Sequence, residues 1–300
     1  MSTVTLEPSK NASEREVVAK PSSPILTTLK YFWQSPSGVM GAAILLLILG
    51  AALLGPFFYH IDPMDIAGAP FQEPSSDAWF GTDYLGRDVL AGLLYGGRAT
   101  LLVGSVAASI TIIIGVTIGA LSGFYGGLID KALVKVTEFF QVLPPLLFAM
   151  VLVTLFGQKL SIITLAIGAV SWTSAARLTR AEFMRLRSRE FVKASRACGA
   201  SDLYLILRVV LPNALPPIIV STALAVGTAV LFEGGLSFLG LGDPNTMSWG
   251  LMLGQNRNYV LDAWWAVTFP GAAIFLVVLA MSLLGDGVND AVNPRLRRRV

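Results

Sequence analysis

The chain has 300 residues, of which 54% are hydrophobic and only 14% are charged, and its mean hydropathy is +0.67. A soluble protein of this length needs more charge to cover its surface, so the composition predicts a polytopic membrane protein. The single cysteine, Cys198, excludes an intrachain disulfide, and the single histidine, His60, leaves no His/Cys cluster for a metal ion. The net charge of +3 comes from basic residues in short segments between apolar runs, which indicates membrane topology rather than nucleic-acid binding.

Six apolar segments of spanning length follow a polar N-terminal region. Residues 1–30 are rich in Ser, Pro, Glu and Lys, which predicts a disordered tail, and no cleavable signal peptide is evident after Met1. A helix needs about 20 apolar residues to cross the hydrocarbon core. The predicted spans are 38–58, 99–123, 139–158, 160–176, 218–239 and 263–285. The expected fold is therefore an all-α bundle of six transmembrane helices.

The distribution of positive charge predicts the orientation of this bundle. Of the 22 Lys and Arg residues, 18 lie in the two tails and in the loops after the second and fourth spans, and only 4 lie in the other loops. Positive residues are retained on the cytoplasmic side of a membrane, so both termini are expected in the cytoplasm. Loop 60–98, with six acidic residues, is expected outside. Loop 177–217 is expected to be cytoplasmic, and the basic tail 291–300 is expected to lie at the anionic inner leaflet.

The third span begins with polar residues and contains two prolines. Glu138 and Gln141 can line a path through a kinked helix, and the alternative is that Glu138 stabilises a helix N-terminus. Pro144 and Pro145 predict a kink.

Loop 177–217 contains a predicted docking helix. One face of this helix repeats at positions i, i+3, i+4 and i+7, and beyond its first member the face consists of small residues. The residues of this face are Phe191, Ala194, Ser195 and Cys198. Lys193 and Arg196 fall outside it. Small side chains let another protein approach closely, so this face indicates a docking surface rather than a solvated loop.

A turn and a second helix are predicted to follow. Gly199 permits a turn that a residue with a Cβ would resist, and Ser201 or Asp202 can cap a helix over 203–211. Prolines are expected to stop this helix and to set the entry into the fifth span. These prolines are Pro212, Pro216 and Pro217.

The fifth span carries an acidic residue, Glu233, followed by Gly234 and Gly235. An ionisable residue inside a membrane is by default a functional candidate that faces a cavity or a partner. The alternative is a carboxylate near the outer end of the helix that reaches the interface. The two glycines predict a backbone opening that forms a gate.

The spacing of the cytoplasmic loop resembles the coupling loop of bacterial ABC importer permeases. That motif is Glu-Ala-Ala, three residues, Gly, nine residues, Ile, one residue and Leu-Pro. The matching positions are Lys193, Ala194, Ser195, Gly199, Val209, Leu211 and Pro212. Lys193 replaces the motif's Glu, and Ser195 replaces its second Ala. The resemblance implies that the short helix inserts into a cleft of an ATPase subunit and transmits closure of the ATPase to the membrane helices.

Two further segments resemble the C-type permeases of dipeptide and oligopeptide importers. They are FGTDYLGRDVLAGLLYGGR at 80–98 and EGGLSFLGLGDPNTMSWGLML at 233–253. The expected organisation is a tail at 1–30, an N-terminal module at 31–98, a permease core at 99–290 that includes the coupling loop, and a tail at 291–300. The resemblance implies a non-catalytic subunit in the bacterial plasma membrane that imports peptides, or alternatively nickel, glutathione or another small solute.

The same resemblance implies three kinds of protein partner: a homologous second permease, two ATP-binding subunits that hold ATP and Mg²⁺, and an external substrate-binding protein. No Gly-Lys dipeptide occurs in the chain, so it has no P-loop and no nucleotide cofactor of its own is expected. The candidates for docking the binding protein are Asp77, Trp79, Asp83, Tyr84, Arg87, Asp88, Asp243 and Trp249, with Asn256 and Arg257 beside them. The alternative for these residues is a solvated face. Residues 88–95 are expected to form a short amphipathic helix on the outer membrane surface.

Two other classes of function are open to a six-span protein. An ion-coupled secondary transporter would carry repeated halves and paired ionisable residues near the midplane, whereas Glu233 stands almost alone and no repeat is evident. A passive channel or scaffold would not need the docking loop.

Overall fold

The computed structural model describes residues 24–292, with side-chain environments from residue 29 onward. The regular secondary structure of this part of the chain is helical, and it contains no β-strand. Its helices are α1 (Pro24–Gln34), α2 (Pro36–Phe58), α3 (Val89–Tyr125), α4 (Gly127–Val142), α5 (Pro145–Phe156), α6 (Leu160–Arg187), α7 (Glu190–Ala197), α8 (Asp202–Tyr204), α9 (Leu211–Leu236), α10 (Trp249–Asn256) and α11 (Trp264–Val292). Residues 24–30 belong to α1 and are not the disordered tail that their composition predicted. The rest of that tail, and the basic residues from 293 onward, lie outside the described residues.

Five helical segments are long and apolar enough to cross a membrane: α2, α3, α6, α11 and the continuous segment Asp202–Leu241 that contains α9. The third predicted span, 139–158, is broken, because α4 and α5 meet at an angle of 82°. Pro144 and Pro145 lie at this break, where neither residue can donate a helical hydrogen bond. The predicted kink is therefore a sharp break.

The bent pair joins the two ends of the bundle and so counts as one span. Near the start of α4, Asp130 forms a bidentate ion pair with Arg180 in the C-terminal part of α6, with distances of 2.6 and 2.7 Å. Beyond α5, the side-chain amide of Gln158 donates to the Gly240 carbonyl at the opposite end, at 3.3 Å. The prediction of a six-span all-α bundle is confirmed.

The second span is longer than the sequence predicted. α3 has 37 residues and is about 55 Å long at 1.5 Å per residue. It begins at Val89 because the Asp88 carboxylate accepts a hydrogen bond from the Ala91 N–H at 2.7 Å and caps the helix. Val89 and Ala91 are buried, so the prediction that 88–95 forms a separate surface helix is wrong.

The pairing of α3 with α6 depends on glycines spaced four residues apart. Gly115, Gly119 and Gly123 form this row on α3. A Cβ added to Gly123 would lie 2.6 Å from the Arg180 carbonyl oxygen, and one added to Gly119 would lie closer still to the backbone of α6. Such small-residue rows let two helix backbones approach each other within a membrane. This contact continues past the predicted end of the fourth span, because α6 runs on to Arg187.

The prolines after the coupling loop do not stop the second helix as predicted. Residues Leu205–Val210 form a π-helical segment that leads directly into α9. The wider π turn accommodates Pro212, which lacks an N–H and lies at the start of α9. Pro216 and Pro217 lie inside α9, which is continuous through them. The fifth span therefore begins within loop 177–217 itself and is mechanically continuous with it.

Candidate functional site

The predicted docking helix, α7, is attached to the bundle by one face. Val192 is buried in a cluster with residues at the adjacent ends of α3, α6 and the α8–α9 segment. The buried members of this inner cluster are Ala120, Phe124, Phe183, Leu186, Val192, Leu205, Ile206, Val210, Ala214 and Ile218. A movement of α7 would therefore be transmitted to three spans at once.

The opposite face of α7 is open. Phe191 is 43% exposed, and Lys193, Ala194 and Cys198 are exposed as well. Arg196 is also exposed, although it lies four residues after Val192 on the attached side of the helix. Ser195, the remaining predicted member, is half-buried, and its hydroxyl donates to the Phe191 carbonyl at 2.9 Å. The structure thus presents the small-residue face in the direction in which a partner can reach it.

The turn after α7 has the expected geometry. Gly199 has φ = +87°, in the left-handed region that favours glycine. Ser201 caps the next helix by accepting from the Tyr204 N–H. The Arg196 guanidinium lies 3.2 Å from Asp202 and 5.5 Å from the centre of the Phe124 ring. These contacts fix α7 relative to the inner cluster.

The last three motif positions differ from the first three in where their side chains lie. Val209 and Leu211 are half-buried and pack against the inner cluster, so they support α7 from behind and do not line its open face. Pro212 is exposed in the first turn of α9.

Two of the predicted path residues line a cavity. Glu138 and Gln141 face a cavity of about 260 Å³ between α3, α4 and α6, together with Arg177 and Arg180. Glu138 lies in the second half of α4, so the alternative of a helix N-terminus is wrong for this residue. It forms an exposed ion pair with Lys135 at 3.4 Å.

Glu233 is enclosed by protein and reaches neither the membrane interface nor an open path. Its side chain is 1% exposed. Its Oε1 accepts hydrogen bonds from Ser248 at 2.7 Å and Ser237 at 2.9 Å, and its Oε2 accepts from Thr100 at 3.5 Å. The Thr100 hydroxyl in turn accepts from the Trp249 N–H at 3.1 Å. This network joins α3, α9 and α10, and it corrects the expectation that Glu233 faces a path.

The predicted gate at Gly234 and Gly235 is also corrected, because α9 continues through both residues to Leu236. The close approach of α10 to this part of α9 depends on Gly250 instead, because a Cβ added to Gly250 would lie 2.9 Å from the Gly234 Cα. The backbone leaves helical geometry at Gly240, where φ is +88°.

Several residues predicted to dock a binding protein are structural. Asp83 and Asp88 are buried, and burial raises the pKa of the Asp83 carboxyl although the Leu85 and Arg87 N–H groups donate to it. Trp249 is 2% exposed and donates from Nε1 to the Leu93 carbonyl at 2.8 Å. These side chains are not available to a partner.

The second external candidate surface is also partly structural. Asp243 is half-buried and caps α6 by accepting from the Leu160 N–H at 3.0 Å. Asn256 is buried, while Arg257 is exposed and its guanidinium binds the Phe238 carbonyl.

The exposed part of this predicted docking surface is centred on aromatic side chains. Asp77 and Trp79 are exposed, and Arg87 is half-buried. Tyr84 stacks on Tyr259 with ring centres 5.3 Å apart and planes 10° apart. Sequence reasoning missed Tyr259, because it lies 175 positions along the chain from Tyr84 and no local pattern links the two.

Phe71 packs on the same tyrosine, with its ring centre 5.3 Å from that of Tyr259, and it has φ = +59°, an uncommon value for a residue with a side chain. The aromatic residues of loop 60–98 therefore meet the distant Tyr259 on one surface.

Comparison with known proteins gives two family matches. Residues 115–298 match the family described as "Binding-protein-dependent transport system inner membrane component". Residues 23–74 match the "N-terminal TM domain of oligopeptide transport permease C". Together the two matches include five of the six spans, α3 being matched only in part.

Curated relatives match almost the whole chain. The di/tripeptide transport system permease protein DppC of Pseudomonas aeruginosa is 38% identical over 96% of this chain and 99% of its own length. The dipeptide transport system permease protein DppC of Haemophilus influenzae is 33% identical over 95% of this chain and 100% of its own length. The DppC protein of Bacillus subtilis is 39% identical over 86% of this chain and 82% of its own length.

Among solved structures, the fold is similar to that of an inward-facing MetNI methionine ABC transporter. The TM-score is 0.51 at 21% identity, over 66% of this chain and 94% of that chain. This likeness confirms the predicted ABC importer permease fold. The chain therefore belongs to the family of binding-protein-dependent transport system inner membrane components, in the group of C-type dipeptide and oligopeptide permeases.

Proposed function

We propose that this chain is one half of the translocation path of an ATP-driven importer of dipeptides and oligopeptides. The relatives that match it over nearly its whole length are named as dipeptide or di/tripeptide permeases, which supports the substrate class. The second half of the path is a homologous permease that pairs with this chain as a heterodimer.

The observation that carries the proposal is the construction of α7. Its open face holds Phe191, Ala194 and Cys198, while Val192 on its other face is buried in the inner cluster. An ATPase subunit that binds the open face would move a rigid element anchored in three spans. Each of the two ATPase subunits holds ATP and Mg²⁺, and one of them docks on α7 of this chain.

Both termini lie in the cytoplasm in this proposal, because α7 and the basic loop must face the ATPases. The external binding protein docks at the opposite end, on the surface formed by Trp79, Tyr84 and Arg87. Closure of the ATPases on ATP pulls α7 and opens the permease pair outward, and hydrolysis resets it. Such a shift between two packed states needs no chemistry by this chain itself.

Uptake of labelled peptides tests this proposal. Three strains are compared: a deletion of the gene in a background without a redundant system, the deletion complemented with wild type, and the deletion complemented with Gly199→Pro. Nickel uptake is measured in parallel. We expect dipeptide and tripeptide uptake to be lost in the deletion and restored only by wild type, with normal expression of the variant.

Gly199→Ala is the matched milder variant, because the added Cβ meets open space and the φ of +87° is its only obstacle. It should lose less uptake than Gly199→Pro. Unchanged peptide uptake in the deletion would refute the peptide assignment, and a nickel defect alone would assign the metal instead.

A further inference from the structure

A cavity of about 230 Å³ opens between α3, α6 and α9 and is lined by hydroxyl groups. The hydroxyl-bearing residues are Thr111, Ser171, Ser174, Ser221 and Thr228. The other lining residues are Ala175, Leu224, Ala225 and Ala229, so no ionisable side chain faces this cavity. It is separate from the charged cavity that holds Glu138 and Arg177.

The cavity lies near the middle of the membrane. Ser171 is 11 residues from the start of α6, which corresponds to about 17 Å along the helix axis. Ser221 is 15 residues from the end of α9 at Leu236, or about 22 Å. Both ends are on the outer side, and the hydrocarbon core is about 30 Å thick.

Three of these hydroxyls have no hydrogen-bond partner among the described residues. A serine or threonine in a spanning helix usually donates to a carbonyl of its own helix, as Thr228 does to Leu224 at 3.0 Å. The Ser171 hydroxyl oxygen is buried and unpaired. Ser174 is exposed to the cavity and Ser221 is half-buried, and neither forms a hydrogen bond to a described residue. A buried and unpaired hydroxyl such as that of Ser171 is costly at this depth, because the hydrocarbon offers it no partner.

We propose that this hydroxyl cavity is a binding subsite for the main chain of the transported peptide, an inference that rests on the proposed function. A hydroxyl both donates and accepts, so it pairs with either the N–H or the carbonyl of a peptide bond. Because the cavity carries no charge, it places no requirement on the side chains of the peptide.

The size of the cavity indicates a half-site. Complete small-molecule sites measure about 300–1,000 Å³, and this cavity, at about 230 Å³, is smaller. The second permease completes the site from the opposite side. A lipid acyl chain does not fit the chemistry, since it would leave all three serine hydroxyls unpaired.

Thiol protection tests the site directly. Cys198 is the only cysteine in the chain, so Cys198→Ser gives a background into which Ser174→Cys and Ser221→Cys are introduced separately. Ile219→Cys is the control, because Ile219 is 47% exposed and lies two residues from Ser221, on nearly the opposite face of α9. The assembled complex is treated with a small, water-soluble thiol reagent, with and without trialanine.

We expect both serine-site cysteines to react faster than the control and to be protected by trialanine at least about threefold, with no protection by free alanine. Reaction at the control rate would overturn the proposal, because it would show that the cavity is not open to a polar solute. Fast reaction without protection would also overturn it, because it would show a water-filled cavity that the peptide does not enter.

Uptake kinetics supply a second readout. The triple variant Ser171→Ala/Ser174→Ala/Ser221→Ala should raise the half-saturating trialanine concentration by about threefold to tenfold, as expected for lost hydrogen bonds. The control is Ser105→Ala/Ser109→Ala on α3, whose hydroxyls already donate to carbonyls of their own helix. It should leave uptake unchanged.

The two hypotheses fail in different ways. Normal uptake by the triple variant would overturn the subsite and leave the proposed function intact. Absence of trialanine uptake in the wild-type complex would overturn both.

Discussion

The buried Glu233 network gives the sharpest prediction about stability. Glu233→Ala removes the acceptor of the hydrogen bonds from Ser248 at 2.7 Å and Ser237 at 2.9 Å. Each such bond contributes about 0.5–1.5 kcal/mol, and two hydroxyls would also be left buried without a partner. The expected loss is about 3 kcal/mol in the free energy of unfolding.

Glu233→Gln is the matched variant that separates hydrogen bonding from charge. Both short bonds end on the same oxygen, Oε1, which the Gln side chain retains. The amide nitrogen then replaces Oε2 beside the Thr100 hydroxyl. We expect Glu233→Gln to cost less than about 1 kcal/mol, the net value of one hydrogen bond.

Denaturant unfolding in detergent, followed by tryptophan fluorescence, measures the difference, because Trp249 belongs to the network. A double-mutant cycle with Ser248→Ala should show positive coupling, since removing both partners leaves fewer unpaired groups than the single changes predict. Equal destabilisation by Gln and Ala would refute this reasoning and would show that the charge of the carboxylate stabilises the network.

Three further predictions concern other contacts. Pro56 leaves the Ala52 carbonyl of α2 without its helical partner, and Arg98 donates to that carbonyl at 2.9 Å. Arg98→Ala should therefore lower the thermal unfolding midpoint, whereas Arg208→Ala, at an exposed arginine whose side chain forms no hydrogen bond to a described residue, should not. Burial, together with the hydrogen bond to Asp88, raises the pKa of Tyr59 to about 12. The stabilising effect of the protonated Tyr59 phenol is therefore complete below pH 10 and is lost as the pH rises toward 12. Tyr59→Phe should remove one late-titrating phenol from the ultraviolet titration, and an unchanged curve would contradict the assignment. Gly119→Leu should prevent folding of the α3–α6 pair, measured as loss of monodisperse protein after detergent extraction, while Leu at exposed Val106 on the same helix should be tolerated.

The sequence predicts the spans well and the buried polar groups poorly. Apolar length identifies the six crossings, because a membrane imposes that length on every spanning helix. Helix ends such as Val89 and Arg187 could not be predicted, since they depend on packing between α3 and α6 and on the Asp88 cap. The prediction that Pro212 stops the second helix was wrong, because it considered the missing N–H of proline but not the π turn that accommodates it.

Helix α7 was predictable, whereas the surface around Trp79 and Tyr84 was not. The face of α7 follows from helical periodicity and from the requirement for a turn at Gly199, both of which are local. Asp83, Asp88 and Trp249 look like surface residues in sequence, yet they are buried because distant segments fold over them. No spacing rule reveals that Tyr84 meets Tyr259, or that serines on α6 and α9 share one cavity.

The central claim is that an ATPase subunit covers the open face of α7, and Cys198 is a native probe of that face. It is exposed in this chain and is the only cysteine present. The measurement is maleimide labelling of Cys198 in the purified complex, before and after removal of the ATPase subunits. The control, in a Cys198→Ser background, is Asn245→Cys, since Asn245 is exposed at the opposite end.

The account predicts that Cys198 is protected in the complex and reacts rapidly once the ATPases are removed, while the control reacts equally in both states. Equal labelling of Cys198 in both states would contradict docking on α7.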